Sequence, residues 1–205
     1  MSQDSLVLYT NPRSRGRIAR WMMEEVGVPY RTEVVPFGPA MKSSDYLSIN
    51  PMGKVPAIVH GGVVVTEVAA ICAYLADVFP DANLAPPVHQ RADYYRWMFF
   101  AAGPLEAAVT NKALKVDVPE ERQGMVGYGS FELVVDTLAS VVSKRQFIAD
   151  EKFSAADVYV GSHIGWGMQF GTLPKHPELV SYWDRLAERE AYKRGNELDN
   201  QLPAE

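Results

Sequence analysis

The chain has 205 residues, 47% hydrophobic and 22% charged, with a formal net charge of −5 and one cysteine. Those values fit a folded chain of two small domains and exclude a disulfide framework, in keeping with a reducing cytoplasm. They also exclude a general electrostatic footprint for nucleic acid and, with no apolar run near the roughly 18–20 residues of a span, a membrane helix. The opening Met-Ser-Gln-Asp-Ser has no basic or apolar signal region, so a cytoplasmic location is expected.

Leu6–Thr10 reads as a first strand, followed by an Asn11-Pro12-Arg13 loop. Ser14–Val26 reads as a helix, with Ile18, Met22 and Val26 on one i, i+4 stripe. Ser14 is a good N-cap, and Gly27 followed by Pro29 is a good stop. Tyr30–Val35 is a second strand, which makes a parallel βαβ unit with the first. A less regular segment, Pro36–Ile49, comes next.

Residues 50–75 are the most informative stretch. Two β-rich runs, Pro56–His60 and Val63–Thr66, flank Gly61-Gly62, which predicts a two-residue hairpin turn. Pro56 cannot donate to a ladder and belongs at a strand start. A cis Val55-Pro56 step would turn the amide and carbonyl of Val55 outward, where an extended peptide could pair with them. Glu67 then opens an apolar helix, Val68–Val78. Free N–H groups and positive potential at that helix start suit a ligand carboxylate, and Glu67 suits a ligand ammonium.

Residues 81–90 are rich in proline and read as a linker. The expected domains are therefore 1–80 and 91–205. Everything after the linker reads helical. Arg91–Ala102 is aromatic on more than one face, and Pro104 should kink or end it. Glu120–Val142 is a second long helix. Ser154 and Asp157 form a capping-box pattern ahead of Val158, and a last helix runs Pro177–Glu190.

The order β-α-β-α-β-β-α, a proline-rich linker and an all-helical second half resemble the glutathione S-transferase superfamily. The specific residues are Asn50-Pro51-Met52-Gly53-Lys54-Val55-Pro56-Ala57, Thr66-Glu67, Ser154-x-x-Asp157 and His176-Pro177…Trp183…Leu186. The resemblance implies a thioredoxin-like α/β N-terminal domain plus an all-α C-terminal domain. It implies glutathione as co-substrate, a hydrophobic electrophile as second substrate, no metal, and a cytoplasmic homodimer. In the family Val55 would pair with the cysteinyl part of glutathione across Pro56. Glu67 would hold the γ-glutamyl ammonium, and the residue after it would donate to the γ-glutamyl carboxylate. That residue is often serine and is here Val68, so only its backbone N–H remains. Arg13 and Lys54 are candidates for the ligand's carboxylates. Phe99, Phe100 and Gly103 are candidates for the co-substrate pocket.

Ser14 matches the serine of the Ser-type, bacterial-like transferases. The cysteine of the bacterial Cys-type enzymes would fall at Arg15, so that class is disfavoured. Ser14 reads either as a plain N-cap or as the donor that favours the glutathione thiolate, and the two are compatible. Arg17 and Arg20 read as a solvated face. Cys72 reads as a core thiol, and the four histidines show no metal-ligand spacing. The leading function is glutathione conjugation for detoxification. The alternatives are a glutathione-dependent isomerase or dehalogenase, or a non-catalytic binding module on the same fold.

Overall fold

A computed structural model describes residues 5–203. They form two compact units. One comprises the chain up to Leu84 together with Glu188 onward; the other is Ala85–Ala187. The expected division at 91 is therefore shifted, and it misses the return of the C-terminal segment to the first unit.

The first unit is built on a four-stranded sheet in the order β2-β1-β3-β4. Its strands are β1 (Leu6–Thr10), β2 (Arg31–Val34), β3 (Ala57–His60) and β4 (Val63–Thr66). β1 and β2 pair in parallel, and β1–β3 and β3–β4 pair antiparallel. The helices are α1 (Gly16–Val26), the one-turn α2 (Ser44–Leu47) and α3 (Val68–Val78). Leu8, Ile18, Met22, Ile58, Ile71 and Leu75 fill the core at 0–1% exposure. Gly61 and Gly62 have φ of 56° and 90°, the left-handed pair that a tight hairpin needs and that other residues adopt at a cost.

The last helix of the chain, α9 (Glu190–Asn200), packs on α1. The expected single helix Pro177–Glu190 is thus two: it stops at Ala187, and α9 starts afresh at Glu190. Arg17 and Arg20 both bond to α9, beside the Trp21–Tyr192 ring contact, and neither is on a solvated face. Arg17 donates to Asn196 Oδ1 at 3.2 Å and Asn200 Oδ1 at 2.7 Å. Arg20 is 3% exposed and donates through Nε to Asp199 Oδ1 at 2.7 Å.

The second unit contains α4 (Ala92–Phe100), α5 (Glu106–Ala113), α6 (Phe131–Val142), α7 (Ala155–Phe170) and α8 (Pro177–Ala187). Pro104 neither ends nor breaks the first of these. It sits in a π-helical segment, Ala101–Leu105, that runs on into α5; the wider turn accommodates a residue without an N–H. The expected helix Glu120–Val142 is real only from Phe131. Glu120–Met125 is a short 3-10 turn, and Gly127 and Gly129 stand between the two. α7 is buried nearly all round and packs against α4 and α8. Its capping box forms as expected. Among the described residues no helix is long and apolar enough to cross a membrane.

Candidate active site

The sheet register brings the three candidate segments together. Tyr9 lies opposite Ala57, and Ala57 lies opposite Thr66. Asn11–Ser14 leaves β1 at this end, Val55-Pro56 enters β3 at it, and Glu67-Val68 leaves β4 at it. One end of one sheet therefore carries Arg13, Ser14, Lys54, Val55, Pro56, Glu67 and Val68. The second unit carries the other candidates. Phe99 is 70% exposed on α4, with Tyr95 one turn before it and Gly103 one turn after. Phe100 is half-buried, its ring 5.3 Å from that of Trp97.

α1 starts at Gly16, two residues later than Ser14. Its start approaches β1 so closely that a Cβ on Gly16 would lie 1.9 Å from Thr10 Oγ1, which only glycine permits. Ser14 Oγ is half-buried, donates to the Asn11 carbonyl at 2.7 Å and accepts from the Gly16 N–H at 2.9 Å. It does cap the first turn, though from outside the helix. Its proton is also transferable. The Asn11 carbonyl already accepts from the Ser14 N–H at 3.0 Å, so rotating the hydroxyl toward a ligand leaves that carbonyl satisfied. The bond from Gly16 polarises the hydroxyl and strengthens it as a donor.

The Val55-Pro56 bond is cis. The loop before it rests on Tyr46 of α2 and on Asn50, both buried. The Tyr46 hydroxyl donates to the Lys54 carbonyl at 2.6 Å, and Asn50 Nδ2 donates to the same carbonyl at 2.8 Å. Burial, with Tyr9 nearby, pushes the Tyr46 hydroxyl up to about 12, so it remains a donor at neutral pH. Glu67 is exposed and has φ 65° and ψ 119°. A non-glycine residue held there costs about 1–3 kcal/mol and is characteristic of functional sites. The same backbone step starts α3, whose Ile71 N–H donates to the Glu67 carbonyl at 2.8 Å.

Sequence reasoning passed over Asn11, Tyr46 and Asn50. Asn11 is 1% exposed; its Nδ2 donates to the Val35 carbonyl at 3.2 Å, and its Oδ1 accepts from the Arg13 N–H at 3.0 Å. Asn50 opens the Asn50-Pro51-Met52-Gly53 stretch, and an asparagine ahead of a proline turn is the signal the sequence offers for it. Cys72 is 0% exposed, and burial pushes its thiol up, which leaves it unreactive. His60 is tied to the Tyr74 hydroxyl at 3.0 Å.

A family model described as "Glutathione S-transferase, N-terminal domain" matches residues 14–78, and "Glutathione S-transferase, C-terminal domain" matches 130–190. Glutathione S-transferase GstA of Escherichia coli O157:H7 is 30% identical over 149 residues, 71% of this chain and 73% of that one. Glutathione S-transferase A of Pleuronectes platessa is 31% identical over 163 residues, 74% of this chain and 72% of that one. Among solved structures, a theta class glutathione S-transferase from Xanthomonas axonopodis pv. citri, with glutathione bound, is 25% identical with a TM-score of 0.77. That match covers 98% of this chain and all of the other. A glutathione transferase from Methylococcus capsulatus has a TM-score of 0.79 at 23% identity, covering 96% of this chain and all of the other. With both halves matched in order, and relatives at this identity over most of their lengths, the chain belongs to the glutathione S-transferase family.

Proposed function

We propose that the protein binds glutathione at the end of the sheet, holds it as the thiolate and transfers it to a hydrophobic electrophile. The observation that carries this reading is the Tyr9–Ala57–Thr66 row, which gathers the Ser14, Val55 and Glu67 segments. The γ-glutamyl ammonium meets the Glu67 carboxylate, and its carboxylate meets the Val68 N–H in the first turn of α3. The Val55 backbone pairs with the cysteinyl part in the manner of an added strand. Arg13 and Lys54 are exposed at the same end and supply positive charge for the remaining carboxylate. The thiolate sulfur forms a bond to the electrophilic carbon while the bond to a leaving group breaks, releasing chloride from an aryl chloride, and binding both reactants makes the step effectively unimolecular. The enzyme works in the cytoplasm, and conjugation serves detoxification.

Glu67→Ala tests the binding half. Glutathione affinity measured by calorimetry should fall by about 1.5–3 kcal/mol, the worth of a charge-assisted bond. An unchanged dissociation constant in the folded variant would remove Glu67 from the site.

Ser14→Ala tests the activation half. The pKa of bound glutathione should rise by about one unit or more, at roughly 1.4 kcal/mol per unit, with little change in affinity. Stability should fall by about 1 kcal/mol from the lost cap. A thiolate absorbance titration of the binary complex reads the pKa. If it stays put, activation falls to Arg13, Arg15 or the backbone N–H groups of α1.

The enzyme is a homodimer. Tyr94, Trp97 and Met98 are buried on α4 while Tyr95 and Phe99 are exposed, so the helix has apolar surface to spare for a two-fold partner. Light scattering at micromolar concentration should give about twice the chain mass of 22.8 kDa, and a value near the chain mass itself would reject the dimer.

A further inference from the structure

The Lys54 carbonyl is unusual in accepting from two buried side chains at once. A carbonyl oxygen offers two lone pairs, so Tyr46 and Asn50 saturate it. The two donors also act as one unit, because the Asn50 N–H donates to the Tyr46 carbonyl at 2.9 Å. Asn50 organises the rest of the loop as well. Its Oδ1 accepts from the Met52 N–H at 3.0 Å, and its carbonyl accepts from the Gly53 N–H at 2.8 Å.

The consequence lies in the next half of the same peptide unit. Among the described residues the one cis bond is Val55-Pro56, so the Lys54–Val55 unit is trans. A planar trans unit points its carbonyl and its N–H in opposite directions. Pinning the Lys54 carbonyl between two side chains therefore fixes the Val55 N–H to point away from Tyr46 and Asn50. A single donor would leave the plane free to rock about one bond; two donors remove that freedom before any ligand arrives, which lowers the ordering cost of binding.

We infer that Tyr46 and Asn50 are positioning residues for glutathione, aiming the Val55 N–H at the cysteinyl carbonyl through the Lys54 carbonyl they share. The inference rests on the proposed glutathione site. Neither side chain touches glutathione, and neither takes part in thiol activation, which belongs to the start of α1.

The test is Tyr46→Phe in the full-length protein. It deletes one oxygen and keeps the ring among Tyr9, Val35, Met41 and Ile49. The dissociation constant for glutathione by calorimetry, and KM for glutathione with an aryl chloride as co-substrate, should both rise roughly two- to tenfold, as for one weakened hydrogen bond. kcat at saturating glutathione should stay within about twofold, because a contact that binds ground and transition states alike moves KM alone. Asn50→Ala removes the donor to Lys54 together with the acceptor for Met52; it should shift KM and the dissociation constant the same way with kcat kept, and it decides the matter if Tyr46→Phe does not fold. A folded variant whose melting temperature drops while its glutathione KM and dissociation constant stay at the wild-type values overturns the inference and leaves a structural role. Wild-type protein that binds no glutathione overturns the proposed site instead, and calorimetry on the wild type separates the two failures.

Discussion

Replacing Arg20 with methionine should destabilise the protein by about 3–5 kcal/mol, because it strands a buried charge. Arg20 and Asp199 are 3% and 1% exposed, and their bond is 2.7 Å long. Arg20 also donates to the Tyr30 hydroxyl at 3.0 Å and Thr32 Oγ1 at 3.2 Å, so one guanidinium joins α1, α9 and β2. Methionine keeps most of the stem's packing and removes only the charge and its donors. Burial pushes the Asp199 carboxyl up, and Arg20 opposes that. Without Arg20 only the charge of Arg17 opposes the push, and Glu24 adds to it. An acid whose folded pKa is raised loses stability as pH rises through that value. The variant should therefore lie closer to wild type in acid than at neutral pH. Arg20→Met with Asp199→Leu should recover more than half of the loss, since an apolar pair replaces an ion pair at little cost while a lone buried charge does not. Urea midpoints at two pH values measure all of this. A single variant within about 1 kcal/mol of wild type would show that the pair contributes no more than an exposed one.

Asp157→Asn should cost about 1–3 kcal/mol, because its NH2 strands one buried backbone N–H while the hydroxyl beside it can turn to accept. Asp157 is 0% exposed. Its Oδ1 accepts from the Ile148 N–H at 2.7 Å and the Tyr182 hydroxyl at 2.8 Å, and its Oδ2 accepts from the Ser154 N–H at 2.9 Å and Ser154 Oγ at 3.0 Å. An asparagine amide, in either orientation, sets an NH2 against two of these groups. Burial pushes the Asp157 carboxyl up to about 6, against the four donors that favour the carboxylate. The folded state thus keeps a proton that the unfolded chain has released. The contribution of this group is fully present below the ordinary carboxylate range and declines as pH rises through about 6. Wild-type stability should show that decline, and the asparagine variant should lack it. Denaturant midpoints between pH 4 and 7 read both effects. Equal pH slopes for the two proteins would show that Asp157 titrates alike folded and unfolded.

The sequence by itself determined the features whose causes are local. Gly61-Gly62 required a left-handed turn between two β-rich runs, so the hairpin and both of its strands follow from a few adjacent residues. Glu67 ahead of an apolar run marked the start of α3, and the Ser154-x-x-Asp157 spacing marked the start of α7, because a cap is satisfied within one turn of chain. The shared motifs made Ser14, Val55 and Glu67 candidates, and the sheet register brings their segments to one end. Only the tertiary structure decided what Arg17 and Arg20 do. Their partners lie up to 183 residues away on α9, and an arginine on a helix start reads the same in water as beside a distant acid. It also decided that residues after Ala187 return to the first unit, and that Tyr46 and Asn50 meet on one carbonyl. No pattern of spacing encodes which carbonyl a buried hydroxyl will reach. That choice belongs to the packing of α2 against the loop.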